Sequence, residues 1–115
     1  MKPNYYQSCS ELGMKILNAS SFPFPEYFSE ECFKVIDLLG EDFYLGNCFK
    51  YLWRVGDKRG AIPVLKNRYI EKDLMKASYY LELYLMKNKP YLVADNENYQ
   101  WYFNLSDKLR EFTKR

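Results

Sequence analysis

The chain contains no histidine, and this absence excludes several kinds of catalytic and metal site. Its 115 residues also include only five glycines, five prolines and three cysteines. Without histidine there is no Ser-His-Asp triad, no histidine general base and few of the usual zinc or iron ligands. The chain also lacks the glycine-rich phosphate-binding motifs and the G-x-S-x-G motif of hydrolases. These absences favour a protein that acts by binding, with no catalytic residue, metal or cofactor expected.

Cysteine usage and hydropathy indicate where the protein works. Cys9, Cys32 and Cys48 are odd in number, widely spaced and form no C-x-x-C pair. We therefore expect reduced thiols in the core and no disulfide. We expect no signal peptide, and the longest apolar-rich stretch, residues 79–86, is interrupted by Glu82 and is far too short to cross a membrane. The sequence predicts a cytoplasmic protein with no membrane partner.

Charge and aromatic content limit the kinds of partner that we expect. The net charge is +2, from 17 Lys+Arg against 15 Asp+Glu. This balance argues against a DNA-mimicking acidic protein and against a broadly basic nucleic-acid binder. Twelve tyrosines, eight phenylalanines and two tryptophans make 19% of the chain. A small domain cannot bury all of these rings, so some are expected at an interface with a partner or in a homo-oligomer.

Hydrophobic periodicity predicts four helices. The first covers residues 10–19 with Ser8 or Ser10 as its cap, and an extended linker follows over residues 20–25. The second runs from a Ser29 cap to Leu39, and the third covers residues 43–55 with Asp42 as its cap. A loop over residues 57–67 precedes the fourth helix, residues 68–87, which ends before Pro90 and packs antiparallel to the third.

The C-terminal region permits two interpretations. Residues 91–95 and 99–104 are rich in aromatic and β-branched side chains and favour a β-hairpin, followed by a short helix over residues 107–113. The alternative is a single helix over residues 99–114. The predicted fold is thus mainly α, a small bundle of about four helices with a short C-terminal β-hairpin or helical appendage. It is one domain over residues 1–115, divided into an N-terminal helix and linker (1–28), a helical core (29–88) and an aromatic-rich appendage (91–115).

A polar ridge on the third helix is the most organised candidate site. Asn47, Lys50, Arg54 and Lys58 are three or four residues apart, so their side chains lie one above another on a helix. Arginine offers a planar fork to phosphate and lysine a point charge. The other interpretation is a solvated helix face. Arg59 in the following loop, and Lys72 or Lys76 on the fourth helix, would widen the ridge.

Residues 31–85 resemble a family of small phage proteins known as SaV-like, a domain of unknown function that includes a nucleotide kinase of a T-odd coliphage. The matching segments read VIDLLG (residues 35–40), DFYLGN (42–47), KYLWRVG (50–56), DLMKA (73–77) and YL (80–81). The resemblance implies a compact helical domain of phage origin. It also implies that the family's polar positions are occupied here by Asn47, Lys50, Arg54, Lys58, Asp73 and Lys76. The candidate anion- or partner-binding residues are therefore Asn47, Lys50, Arg54, Lys58, Arg59, Asp73 and Lys76.

Two departures from the family pattern bear on function. The family opens with a His-Tyr pair, whereas Pro25, Glu26 and Tyr27 stand in the corresponding region, and the tail from Tyr91 has no counterpart. We therefore expect a phage accessory protein that binds without turnover. Such a protein would block a host defence or nucleic-acid-handling complex in the host cytoplasm, as an anti-CRISPR does, or would sequester a nucleotide signal.

Two further functions stay open. The alternative is a nucleotide kinase, in which Lys50, Arg54 and Lys58 hold phosphates and Asp37 or Asp73 helps to hold Mg²⁺. A purely structural subunit of a homo-oligomer is the third possibility, and the aromatic excess is its only support.

Overall fold

The computed structural model describes residues 6–56, 63–94 and 96–113. Within these ranges the chain forms five α-helices and one 3-10 helix, with no strand. The predicted mainly helical class is therefore confirmed. The α-helices are α1 (Glu11–Ala19), α2 (Cys32–Leu38), α3 (Phe43–Arg54), α4 (Pro63–Ala94) and α5 (Asn96–Thr113), and the 3-10 helix (Pro25–Ser29) lies between α1 and α2.

α1 and α3 begin where the sequence predicts. The hydroxyl of Ser10 accepts a hydrogen bond from the backbone N–H of Gly13, with 3.0 Å between the oxygen and the nitrogen. A carboxylate oxygen of Asp42 accepts in the same way from the N–H of Leu45 at 2.9 Å. The first-turn amides of a helix have no partner inside the helix, so a capping side chain stabilises its start. The predicted Asp42 cap is confirmed, and of the two serines predicted for α1 the cap is Ser10.

α2 begins two residues later than predicted. Ser29 does not cap it, because this residue ends the 3-10 helix and its hydroxyl donates to the carbonyl of Glu26 at 3.4 Å. Glu31 precedes α2 without making a capping hydrogen bond through its side chain. The N–H of Cys32 instead donates to the carbonyl of Tyr6 at 2.7 Å. The N-terminal segment thus supplies the hydrogen-bond acceptor at the start of α2, a role that the prediction gave to Ser29.

α4 is longer at both ends than the sequence predicts. It begins at Pro63, so residues 63–67 are helical where a loop is predicted, and residues 57–62 lie outside the described residues. At the other end, Pro90 lies inside the helix instead of beyond it. A proline within a helix removes one hydrogen bond and costs about 3 kcal/mol. Leu92, only 2% exposed, anchors the turn after the proline in the core and so offsets this cost.

Of the two interpretations of the C-terminal region, the hairpin is wrong, because the described residues form no strand and this region is helical, as in the alternative. Residues 91–94 complete α4, and residues 96–113 form α5. Trp101, Leu105 and Leu109 are all buried, and their spacing of four places them on one side of a helix. The ring of Trp101 lies 5.0 Å from that of Phe22 and 6.2 Å from that of Phe49, measured between centroids. These aromatic residues therefore fill the core from a helix.

α3 is the central helix, and α4 packs against it in the antiparallel direction. Arg54 at the end of α3 pairs with Asp73 early in α4, whereas Asp42 at the start of α3 pairs with Lys87 late in α4. The side chain of Trp53 is fully buried and its indole N–H donates to the carbonyl of Glu30 at 3.0 Å. The three cysteines are buried and carry no disulfide, as predicted. No helix in the described part of the chain has the length and apolarity needed to cross a bilayer.

Candidate anion-binding site

Arg54 of α3 lies at the centre of the candidate site and contacts two other parts of the chain. Its Nη2 donates to Oδ1 of Asp73 on α4 at 3.1 Å, and its Nη1 donates to the hydroxyl of Tyr6 at 3.1 Å. Asp73 is 1% exposed, whereas the side chain of Arg54 is 24% exposed. The guanidinium therefore joins α3, α4 and the N-terminal segment while part of it stays in contact with water.

The surroundings of Arg54 keep it charged. Partial burial acts to lower the pKa of this guanidinium, but the carboxylate of Asp73 and the hydroxyl of Tyr6 outweigh it, so the pKa rises above its ordinary value. Its Nε is buried and makes no hydrogen bond within the described residues. Arg54 is thus a permanent cation at the end of α3.

Two lysines complete a group of cations around aromatic rings. The guanidinium carbon of Arg54 lies 4.8 Å from the ring centroid of Tyr51, and Nζ of Lys76 lies 5.3 Å from the same centroid. Nζ of Lys50 lies 6.0 Å from the ring centroid of Tyr6. Such distances are typical of cation–π contacts. We call Lys50, Arg54 and Lys76 the cationic cluster.

The structure brings together four of the seven predicted site residues. These are the cationic cluster and Asp73, its nearly buried counter-charge. Asn47 does not join them, because its amide nitrogen donates to the carbonyl of Phe43 in its own helix at 2.8 Å. Lys58 and Arg59 lie outside the described residues.

Three aromatic residues of the site, Tyr6, Tyr51 and Tyr80, were not predicted from the sequence. The rings of Tyr51 and Tyr80 stack with centroids 6.2 Å apart and planes 10° from parallel. Tyr51 lies three residues before Arg54, and Tyr80 lies four residues after Lys76, so helical spacing was a usable signal for both. Tyr6 gave no such signal, since 48 residues separate it from Arg54.

A separate groove lies elsewhere, between α4 and α5. It has a volume of about 540 Å³ and includes Glu82, Lys89 and Arg110 in its lining. Arg110 approaches Glu82 within 3.6 Å and Asp107 within 3.9 Å. Because cations and carboxylates neutralise one another here, this groove is less suited to an anion than the cationic cluster.

The carboxylates proposed for Mg²⁺ in the kinase alternative lie on different helices. Asp37 is an exposed residue of α2, and Asp73 is buried against Arg54 on α4. Among the residues with described positions, no three His, Cys, Asp or Glu side chains form a group able to hold a metal ion.

Comparisons with known proteins add no relative. No protein-family model matches the chain, and neither a curated protein nor a solved structure matches it significantly. The resemblance to the SaV-like family therefore depends on the residues quoted above and stays a prediction.

Proposed function

We propose that this protein acts by binding a ligand that carries phosphate groups, and that the cationic cluster is its binding site. One observation carries the proposal: Arg54 from α3 and Lys76 from α4 both lie against the ring of Tyr51, at 4.8 and 5.3 Å. Lysines that only keep a protein in solution are distributed over its surface. Here cations from two helices converge on one ring, and their combined field favours a polyanion.

The chemistry of the cluster fits phosphate. Arginine presents a fork that matches two phosphate oxygens, and lysine adds a point charge. The counter-charge, Asp73, is nearly buried and so does not meet a ligand at the surface directly, and its single negative charge leaves the three cations in excess. We propose that the ligand is a nucleotide signal that the protein sequesters, or the nucleic acid of a host complex that it blocks. The resemblance to phage proteins supports this setting.

The direct test is a thermal-shift and calorimetric titration with pyrophosphate, nucleoside mono- and triphosphates and a short oligonucleotide. A ligand at about a hundredfold its Kd stabilises by about 2.7 kcal/mol, which raises the Tm of a domain of this size by roughly 10 °C. We expect such a shift with at least one of these ligands. Replacing Lys50 and Lys76 together by glutamate should weaken its binding by at least about tenfold, since two attractive charges become repulsive.

The control variant carries Lys15→Glu and Lys89→Glu. Both lysines are exposed, Lys15 on α1 and Lys89 in the groove between α4 and α5, so the change in net charge is the same. Arg54 is left unchanged in both variants because it is paired with a buried carboxylate. An equal loss of affinity in the control, or no binding of any phosphate compound by the wild type, would contradict the proposal.

A measurement of ATP consumption distinguishes the kinase alternative from the proposed function. A kinase would consume ATP in the presence of Mg²⁺ and a nucleoside monophosphate, and the Lys50/Lys76 variant would lose this activity. Binding of nucleotides without ATP consumption is the result expected from the proposed function.

A further inference from the structure

Cations extend along α4 well beyond the cationic cluster. Lys72, Lys76 and Lys87 are separated by four and eleven residues, and these intervals place all three on one side of the helix. Lys72 and Lys76 are exposed. The side chain of Lys87 is 60% exposed, but its Nζ lies 3.3 Å from Oδ2 of Asp42, so a phosphate there would share this lysine with a carboxylate. At about 1.5 Å of rise per residue, the three lysines span roughly 22 Å. A line of charge of this length suits a linear polyanion better than a single phosphate group.

Aromatic rings lie between these cations in an unbroken series. From Tyr51 the series passes to Tyr80 at 6.2 Å, from Tyr80 to Phe43 at 6.3 Å, and from Phe43 to Tyr44 at 5.7 Å. Nζ of Lys87 then lies 5.7 Å from the ring of Tyr44. We call this series, with Tyr79, the aromatic strip. It connects the cationic cluster at one end of α3 to Lys87 at the other.

Two rings of the strip are exposed and yet held in place. Phe43 is 70% exposed and Tyr79 is 59% exposed. Both make T-shaped contacts with the half-buried ring of Tyr80, at 6.3 Å and 83° for Phe43 and at 5.4 Å and 72° for Tyr79. These contacts orient the two rings while most of their surface faces water. They therefore offer fixed apolar surfaces for flat groups of a ligand.

We infer that the ligand is a single-stranded nucleic acid several nucleotides long, which lies along α4 over the aromatic strip. Its phosphates would contact Lys72, Lys76 and Lys87, and unpaired bases would stack on Phe43 and Tyr79. Alternation of cations and exposed rings is how proteins bind single strands without reading their sequence. A duplex fits less well, because its bases are already stacked on one another. This inference rests on the proposed function, since the strip begins at the cationic cluster.

The inference is tested by fluorescence anisotropy with labelled oligothymidylates of about four, eight and twelve nucleotides. We expect affinity to rise with length and to level off at or below about six nucleotides, the number that spans 22 Å at ~3.4 Å each. A duplex of the same length should bind more weakly. The logarithm of the association constant should fall linearly with the logarithm of the salt concentration.

Substitution of the exposed rings separates stacking from charge. Phe43→Ala with Tyr79→Ala should weaken binding of the longer oligonucleotide by roughly tenfold or more, because each base loses a stacking partner. The control is Leu38→Ala with Phe112→Ala. These two side chains on α2 and α5 are also about half exposed and lie outside the strip. We expect the control to bind as the wild type does.

The outcomes distinguish the inference from the proposed function. The single-strand inference is wrong if mononucleotides bind as tightly as oligonucleotides. It is also wrong if heparin displaces the labelled oligonucleotide as well as an unlabelled oligonucleotide does and the Phe43/Tyr79 variant binds normally. In both cases the phosphate-binding proposal stands. If the wild type binds neither oligonucleotides nor any other phosphate compound, both are wrong. An acidic protein would then be the partner to seek.

Discussion

The ion pair between Arg54 and Asp73 has a structural role beside its place at the proposed site. Its two side chains are 24% and 2% exposed, and it joins the last turn of α3 to α4. Pairs of this kind add little net stability compared with apolar side chains, but the loss of one member is costly because the other charge stays buried. Arg54 therefore fixes the position of α4 as well as supplying charge.

Arg54→Met should lower the free energy of unfolding by about 3 kcal/mol, because it removes the guanidinium from a buried carboxylate. Urea denaturation followed by tryptophan fluorescence measures the change. Arg54→Met combined with Asp73→Leu should recover most of the loss, since no charge then stays in the interface. If the double variant is no more stable than the single one, the stability of this contact comes from packing and not from the charge pair.

At the scale of elements, the residue that caps α1 donates hydrogen bonds to the last carbonyls of α3. The N–H of Ser10 donates to the carbonyl of Trp53 at 2.8 Å, and its hydroxyl donates to the carbonyl of Leu52 at 3.2 Å. The last carbonyls of a helix have no partner within it, so α1 provides what α3 lacks. The two backbones approach so closely here that a Cβ at Gly13 would collide with the carbonyl oxygen of Leu52.

Gly13→Ala should therefore destabilise the protein by about 1–3 kcal/mol, the usual cost of overpacking. This result would be opposite to the gain of up to about 1 kcal/mol that alanine brings to a solvated helix position. Gly46→Ala in α3 is the matched control, because the nearest atoms to its Cβ would belong to the side chain of Ile36, at 3.2 Å, and not to a backbone. Chemical denaturation of both variants tests the difference. An equal change in the free energy of unfolding of both variants would show that α1 and α3 can move apart at little cost to admit the Cβ.

The helices differ in how far local sequence defines them. α1 and α3 carry their own caps and apolar stripes, and both were predicted almost to the residue. α4 continues through Pro90 because Leu92 is buried, and α5 replaces a predicted hairpin because Trp101 packs on Phe22. Proline and aromatic signals are local, whereas the burial of Trp101 depends on Phe22 and Phe49, which are distant from it in sequence. Tertiary packing outweighed the local preference in both cases.

At the scale of the whole molecule, a small net charge conceals a strongly uneven distribution. The net charge of +2 argued against a broad nucleic-acid binder. The structure nevertheless gathers Lys50, Arg54 and Lys76 at one end of α3 and buries their counter-charge Asp73. Because fields depend on the position of charges, a nearly neutral protein can present a cationic face.

Global stability should fall in alkaline solution. Burial raises the pKa of Cys32 to about 12, and burial together with the neighbouring Cys32 raises the pKa of Cys48 as well. The folded state thus keeps protons that the unfolded state loses above its ordinary thiol pKa of about 8.5. The stabilisation is complete below that pH and is lost as the pH rises towards the folded-state values. By pH 10 the expected loss is about 2 kcal/mol per thiol.

Urea denaturation at pH 7.5 and pH 10, with a reducing agent present, measures this loss. Cys48→Ala should make the pH dependence shallower by the contribution of one thiol. Burial also raises the pKa of Tyr102, so a further decrease is expected above about pH 10, where unfolded tyrosine ionises. Unchanged stability between pH 7.5 and pH 10 would contradict the assignment of Cys32 and Cys48 to a proton-retaining core.

The sequence by itself determined the helical class, the Asp42 cap, a serine as the cap of α1, and the position of Lys50 and Arg54 one turn apart on α3. Each of these depends on residues within a few turns of one another, where helical spacing fixes what lies together. Tertiary structure alone decided that Lys76 and Arg54 meet at Tyr51, that Tyr6 joins them, and that Asp73 is buried beneath. These contacts link residues from separate helices, and their proximity follows from how α3 and α4 pack, which no local spacing specifies.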